Sequence, residues 1–200
     1  LATVIGTTEG PLDSRRNIVR KQESAMGNLI ADTIKAATGA DIAIVNGGGI
    51  RADKQYAAGA TLTRKDILSE LPFGNTTSLI EIKGADLLAA LENGVSQVEN
   101  GAGRFPQVSA GTKIVYDAAA APGKRLVTVE IDGKAVDPEA SYKLATNDFM
   151  LSGGDGYTSL AKGKVLIDGK GGKLLATEVI DYIAAHKTVE AKLEGRIAAK

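Results

Sequence analysis

The stretch that most constrains this chain is Asn46-Gly47-Gly48-Gly49-Ile50-Arg51. An apolar segment, Asp41-Ile42-Ala43-Ile44-Val45, runs straight into it and reads as a buried strand. Three consecutive glycines lack β-carbons, so the backbone there can take positive φ and lie close to another group. A strand ending in such a loop offers backbone N–H groups and sets Arg51 at the rim. Its planar guanidinium, with five donors, suits a carboxylate or phosphate partner. A tight turn with a solvated arginine is written in the same letters, so the rest of the chain has to decide.

The totals narrow the classes. Residues 1–200 suit one domain, or at most two small ones, and are long enough to bury roughly 70% of the unfolded surface. The 24 basic and 24 acidic side chains cancel, which gives no general case for a nucleic-acid or membrane-surface protein. Cysteine is absent, excluding a disulfide scaffold, a thiolate metal site and a cysteine nucleophile. No run reaches the ~20 apolar residues of a membrane helix. The first ten residues have no basic start and no long apolar run, so no cleavable signal is read there. The chain starts without Met and in mid-pattern, and is expected to be a mature fragment or an excised domain.

Periodicity lays out the elements. Residues 2–10 alternate weakly, as an opening strand would. A basic stretch follows, Ser14-Arg15-Arg16-Asn17-Ile18-Val19-Arg20-Lys21. Met26, Leu29, Ile30, Ile34 and Ala37 then recur at helical steps, and Gly39 stands where helices commonly end. Residues 52–62 read as loop and hairpin. Thr63 is a good N-cap for 64–70, with Asp66 in the first turn. Residues 77–83 alternate as a strand, and Leu87, Leu88, Leu91 and Val95 mark a helix over 85–98. Residues 100–107 read as a flexible loop. Strands are expected at 113–117, 126–131 and 142–146, with turn signals at Pro122-Gly123 and Asp132-Gly133. A second glycine-rich loop covers 147–157, a helix covers about 173–186, and the end reads as a polar tail. Strands and helices mix without strict alternation and without a fixed-period repeat. The expectation is a single α+β domain, a mixed β-sheet with flanking helices and glycine-rich binding loops.

Several chemistries fail on context. The single histidine, His186, sits late in the last helix, where a lone histidine is usually solvated or packed. No G-x-S-x-G elbow is present. One histidine and no cysteine argue against an independent transition-metal centre. The phosphate-loop pattern is missing, and the glycines at 47–49 do not open an apolar helix as a dinucleotide fold requires.

What remains is a set of loops carrying binding groups: Arg16 and Arg20, Asn46 and Arg51, Phe73 and Asn75, Gly103, Phe149 and Asp155. Three arginines can hold an anion such as phosphate by charge-assisted hydrogen bonds. Two phenylalanines in glycine-flanked loops can clasp a flat ring, since stacking is worth about 1–3 kcal/mol per base. Asp155 can accept hydrogen bonds from ribose hydroxyls, and Asn75 offers donors and acceptors to a base edge. Each also has an ordinary reading: Phe73 as a core anchor after a proline, Asp155 as a turn residue.

At these residues the chain resembles the C-terminal, substrate-binding domain of the 5'-nucleotidase family, which includes UDP-sugar hydrolases. The matching stretches are Met26-Gly27-Asn28-Leu29-Ile30, Asn46 to Arg51, Leu71-Pro72-Phe73-Gly74-Asn75, Phe105-Pro106-Gln107, and Asn147-Asp148-Phe149 through Gly153-Gly154-Asp155-Gly156-Tyr157. They occur in family order over roughly residues 10–185. The resemblance implies that Arg51 and Arg20 bind phosphate, with Arg16 a third, and leaves Arg15 and Lys21 as adjacent basic alternatives. It implies that Phe73 and Phe149 sandwich the nucleobase, that Asn75 and Gly103 contact its base side, and that Asp155 binds the ribose. Asn46 is implied to line the site near the phosphate, and Tyr157 to close the motif by packing.

The departure is what the chain lacks. The resemblance places a metallophosphoesterase domain, with Asp-x-His metal motifs and a pair of divalent metals, N-terminal to this one. Nothing in these 200 residues supplies those motifs, so no cofactor is expected within this domain. The implied partners are a nucleotide or nucleoside substrate and that N-terminal domain, with no nucleic acid and no membrane segment. The implied role lies in nucleotide catabolism, at a periplasmic or extracellular location, with the isolated chain inactive. A 2',3'-cyclic-nucleotide phosphodiesterase, a UDP-sugar hydrolase and a stand-alone nucleotide-binding module stay open as alternatives.

Overall fold

The computed structural model describes residues 2–200. At its centre is a five-stranded mixed sheet, ordered Lys164–Ile167, Thr77–Lys83, Ser141–Asn147, Ile42–Asn46, Pro106–Val108. Ile42–Asn46 and Ser141–Asn147 run parallel, with Leu144 opposite Ile42. The other pairings are antiparallel. The apolar run before the glycines is buried at every position. Its alternation has a physical target on both faces. Ala43 and Val45 join a core with Met26, Ile30, Ile34, Val179 and Ile183. Ile42 and Ile44 join another with Leu87, Leu91, Phe105 and Leu144.

The first of these cores is covered by the Ala25–Thr38 and Leu175–His186 helices. Ala25–Thr38 starts at Ser24, whose hydroxyl accepts from the Gly27 N–H, and stops at Gly39 in the left-handed conformation, φ 69°. The Arg64–Glu70 helix has a complete capping box between Thr63 and Asp66. The second core lies between the sheet, the Gly84–Val95 helix and a four-stranded sheet ordered Lys134–Ala135, Leu126–Ile131, Thr112–Tyr116, Ile197–Ala199. Asp132 and Gly133, both at positive φ, turn one hairpin of that sheet.

Four expectations need correction. The 100–107 loop is not wholly flexible: Pro106–Val108 is a buried strand of the central sheet, and Gln107 is fully enclosed. The 52–62 segment is not a hairpin, since Gln55–Tyr56 pairs with Leu12–Asp13 and Thr61–Thr63 with Val4–Thr8. The polar tail is structured. Thr188–Val189 and Ile197–Ala199 each extend a sheet. Glu23, buried beneath the tail, accepts N–H bonds from Glu194, Gly195 and Arg196, and Arg196 pairs with Asp32 at 2.8 Å. Lastly, none of Gly47, Gly48 and Gly49 has positive φ; they form a single 3-10 turn.

Candidate functional site

Close approach, not backbone handedness, explains the triple glycine. A β-carbon on Gly47 would lie 2.0 Å from the Val19 carbonyl oxygen, and one on Gly48 2.8 Å from Gly103 Cα. The loop carrying Arg20 and the loop carrying Gly103 therefore close directly onto the end of the Ile42–Asn46 strand. Backbone bonds from Gly47 N–H to Phe105 O and from Gly48 N–H to Gly103 O, at 2.7 and 2.8 Å, hold the Gly103 loop there.

The two parallel strands end side by side, on Asn46 and Asn147. Asn147 Nδ2 donates to Asn46 Oδ1 at 2.9 Å, and Asn46 Nδ2 donates to Asp155 Oδ2 at 2.8 Å. Both asparagines are buried. The cleft opens beyond these carboxyl ends, the usual ligand position beside neighbouring parallel strands. It has a volume of about 430 Å³ and is lined by Arg20, Asn46, Gly48, Gly49, Arg51, Phe73, Asn75, Gly103, Phe149 and Asp155.

Eight of the nine site residues nominated from sequence therefore share one cleft. Arg16 is not among the lining residues. It is exposed at the start of the short Arg16–Val19 helix, and its positive charge acts on Arg20. The adjacent alternatives also stay outside the lining. Arg15 is engaged with Asp13 at 2.7 Å, and Lys21 is exposed. Burial, then the like charges of Arg16 and Arg51, pull the Arg20 guanidinium below its ordinary value, while Asp155 acts the other way. This corner is a concentration of positive charge that an anion would relieve.

The aromatic pair departs from core behaviour. Phe105 is 0% exposed, whereas Phe73 is 59% and Phe149 44% exposed. A packing anchor would be enclosed as Phe105 is. The Arg51 guanidinium carbon lies 5.4 Å from the Phe73 ring centroid, within cation–π range. The Phe149 ring rests on Gly154, where a β-carbon would meet its Cζ at 2.5 Å. The segments bearing the two rings are tied together: Thr76 N–H donates to Asp148 Oδ1 at 3.1 Å, and Asp148 N–H to Thr76 O at 3.0 Å.

Asp155 is held by both its side chain and its backbone. Its φ of 55° is left-handed, a conformation that Asp tolerates better than most residues. Asn93 Nδ2 donates to its carbonyl at 3.0 Å, and Arg104 braces Asn93 at 3.1 Å. Tyr157 is fully buried and donates to the Arg104 carbonyl. His186 is exposed and lies away from the cleft, stacked on Tyr182 with ring centroids 4.0 Å apart.

Three supporting residues escaped the sequence reading. Asn147 joins the site to the Asp148–Leu151 helix by accepting from Met150 N–H at 2.8 Å; its place at a strand end was the available signal. Gln107, inside a quoted motif, is an internal brace. Glu70 reads as a surface charge at a helix end, yet it is 0% exposed, and burial raises its carboxyl above the ordinary value against the pull of its hydrogen bonds. No local pattern announces that.

The chemistry on offer is anion binding at Arg20 and Arg51, ring stacking at Phe73 and Phe149, and hydrogen bonding at Asn75 and Asp155. The single lining carboxylate is already engaged by Asn46, and no group of three or more His, Cys, Asp or Glu gathers as a metal site among the described residues. The residues present do not fit a divalent metal centre. Nor is any helix among the described residues long and apolar enough to cross a membrane.

Known proteins match this chain. The family model described as the 5'-nucleotidase C-terminal domain matches residues 4–162. The trifunctional nucleotide phosphoesterase YfkN of Bacillus subtilis is 42% identical over 165 residues, covering 77% of this chain and 11% of that protein. The 5'-nucleotidase of Diplobatis ommata is 32% identical, covering 97% of this chain and 36% of that protein. The crystal structure of a 5'-nucleotidase precursor from Thermus thermophilus superposes with a TM-score of 0.90 at 41% identity, over 98% of this chain and 39% of that one. The chain thus spans well under half the length of these relatives. On the family match and these likenesses together, the chain belongs to the 5'-nucleotidase family, as its C-terminal domain.

Proposed function

We propose that this domain binds the nucleotide for a 5'-nucleotidase-type phosphohydrolase. The observation that carries the reading is the convergence on one cleft of eight residues from separate segments of the chain. In this reading the base lies between Phe73 and Phe149 with Asn75 and Gly103 at its edge. Asp155, oriented by Asn46, accepts from the ribose hydroxyls. Arg20 and Arg51 take the phosphate, with Arg16 adding charge from outside the lining. The guanidiniums neutralise charge that grows on the phosphoryl oxygens.

The relatives' names, 5'-nucleotidase and nucleotide phosphoesterase, support a phosphoric ester of a nucleoside as the substrate class. In the same reading, an N-terminal metallophosphoesterase domain carries the divalent metals and the hydrolytic chemistry, and this chain alone turns over nothing. Cyclic and sugar-linked nucleotides stay open as alternative substrates, because stacking and phosphate binding by these residues accept any nucleotide that carries a base and a phosphate. A periplasmic or extracellular setting completes the proposal.

The test is a titration of the chain with adenosine and with AMP, by calorimetry and chemical-shift mapping. Saturable binding is expected near millimolar, about −4 kcal/mol, with shifts at Phe73, Phe149 and Asp155 and tighter binding of AMP. Arg51→Ala should remove about 1.5–3 kcal/mol of the AMP affinity. Absence of binding at high concentration overturns the reading, and robust phosphatase turnover by this chain with added divalent metal overturns the division of labour.

A further inference from the structure

We infer that Glu70 and Gln107 are positioning residues for the phosphate end of the cleft, each fixing from a buried side chain the loop that carries one lining arginine. The inference rests on the nucleotide reading above and deepens it. Neither residue lines the cleft, and both are 0% exposed.

Glu70 ends the Arg64–Glu70 helix. Its backbone carbonyl accepts the Arg51 N–H at 2.8 Å, and its Oε1 accepts the Ala52 N–H at 2.9 Å. Consecutive peptide groups at Arg51 thus terminate on one residue. Oε2 accepts from the Tyr56 hydroxyl at 3.0 Å, which fixes the carboxylate's rotation. Gln107 does the same for Arg20 with the opposite polarity. Its Nε2 donates to Val19 O at 3.0 Å and Gln22 O at 2.8 Å, on either side of Arg20. Its Oε1 accepts the Ser24 N–H at 2.9 Å.

The residue types match these tasks. Glu70 only accepts, which a carboxylate does with both oxygens; Gln107 must donate twice and accept once, which a carboxamide does and a carboxylate does not. A buried carboxyl carries a desolvation cost, so its presence under the Arg51 loop calls for a reason. The reason we assign is preorganisation. Arg20 and Arg51 repel one another, and loops free to move would separate them before an anion arrived. Pinned loops hold the two charges in place and lower the ordering cost of binding.

The experiment compares adenosine with AMP in the wild-type chain, Glu70→Met, Gln107→Met and Glu70→Gln. Partial unfolding weakens both ligands by the same factor, so the ratio of their affinities isolates the phosphate end even in a destabilised variant. The methionine variants fill similar space without the hydrogen bonds. Each should lower the AMP-to-adenosine affinity ratio roughly tenfold, the scale of about one hydrogen bond to a charged group. Glu70→Gln, which keeps an oxygen for Ala52 N–H, should restore most of it. Methionine variants that melt earlier but keep the wild-type ratio, or lose both ligands equally, overturn the inference. A wild-type ratio of one overturns the phosphate reading itself, and this inference with it.

Discussion

Asn46 and Asp155, 109 positions apart in sequence, meet at 2.8 Å through Nδ2 and Oδ2. The bond locks the end of a central strand to a left-handed residue of the second glycine-rich loop. Asp155→Ala should cost about 1–2 kcal/mol from backbone handedness alone, before the lost hydrogen bond is counted. Asp155→Asn keeps an oxygen for Asn46 and a residue type suited to positive φ, so its denaturation midpoint should stay near wild type. Adenosine affinity should fall in both variants. Affinity for 2',3'-dideoxyadenosine should change less, which a paired titration checks.

Phe73 and Phe149 are each more than 40% exposed, so they contribute little to the core. Phe73→Ala and Phe149→Ala should each weaken nucleoside binding by about 1–3 kcal/mol with a small change in melting temperature. Phe105→Ala, at a fully buried ring, should instead cost about 3–5 kcal/mol of stability. A large melting shift in either cleft variant would return that residue to the core.

The three adjacent glycines should not be equivalent. A methyl group on Gly47 meets the Val19 backbone oxygen at 2.0 Å, whereas on Gly49 the nearest atom is the Asn46 side-chain oxygen at 3.3 Å. Gly47→Ala should destabilise by about 1–3 kcal/mol or more, and Gly49→Ala should be tolerated. Urea denaturation of the two variants separates them.

Glu70 gives the stability a pH dependence of known sign. Burial, opposed by hydrogen bonds, raises its carboxyl above the ordinary 4.5. The folded chain then holds that proton more tightly than the unfolded chain. Stability from this group is therefore present at low pH and lost as pH rises through the window above 4.5. Glu70→Gln does not titrate. The melting temperature of Glu70→Gln minus that of wild type should grow as pH rises through this window and level off above it. A difference that shrinks with rising pH would reverse the assignment.

Local patterns carried far where one stretch of chain decides its own structure. Thr63 and Asp66 form their capping box within one turn, Gly39 ends its helix, and the strand before the glycines needs only a sheet to enter. The binding groups were legible as chemical types, but Phe73 read equally as a core anchor and Arg51 as a solvated turn residue until the structure showed Phe73 and Phe149 exposed. The Pro106–Val108 strand was hidden, since three residues, one of them proline, give too little alternation to register. The tail was hidden because its anchor, the Glu23 carboxylate under residues 194–196, lies more than 170 positions away.

The sequence by itself determined most of the elements, the α+β class and the chemical kinds of group that line the cleft, since periodicity, capping and side-chain type are local properties. Tertiary structure alone decided which groups meet. It brought Arg20 into the cleft lining and left Arg16 outside, made the glycines a matter of contact with Val19 and Gly103, and buried Glu70 and Gln107 beneath the arginine loops. Those outcomes depend on where distant backbones cross, and the space left at each crossing sets which side chains can stand there.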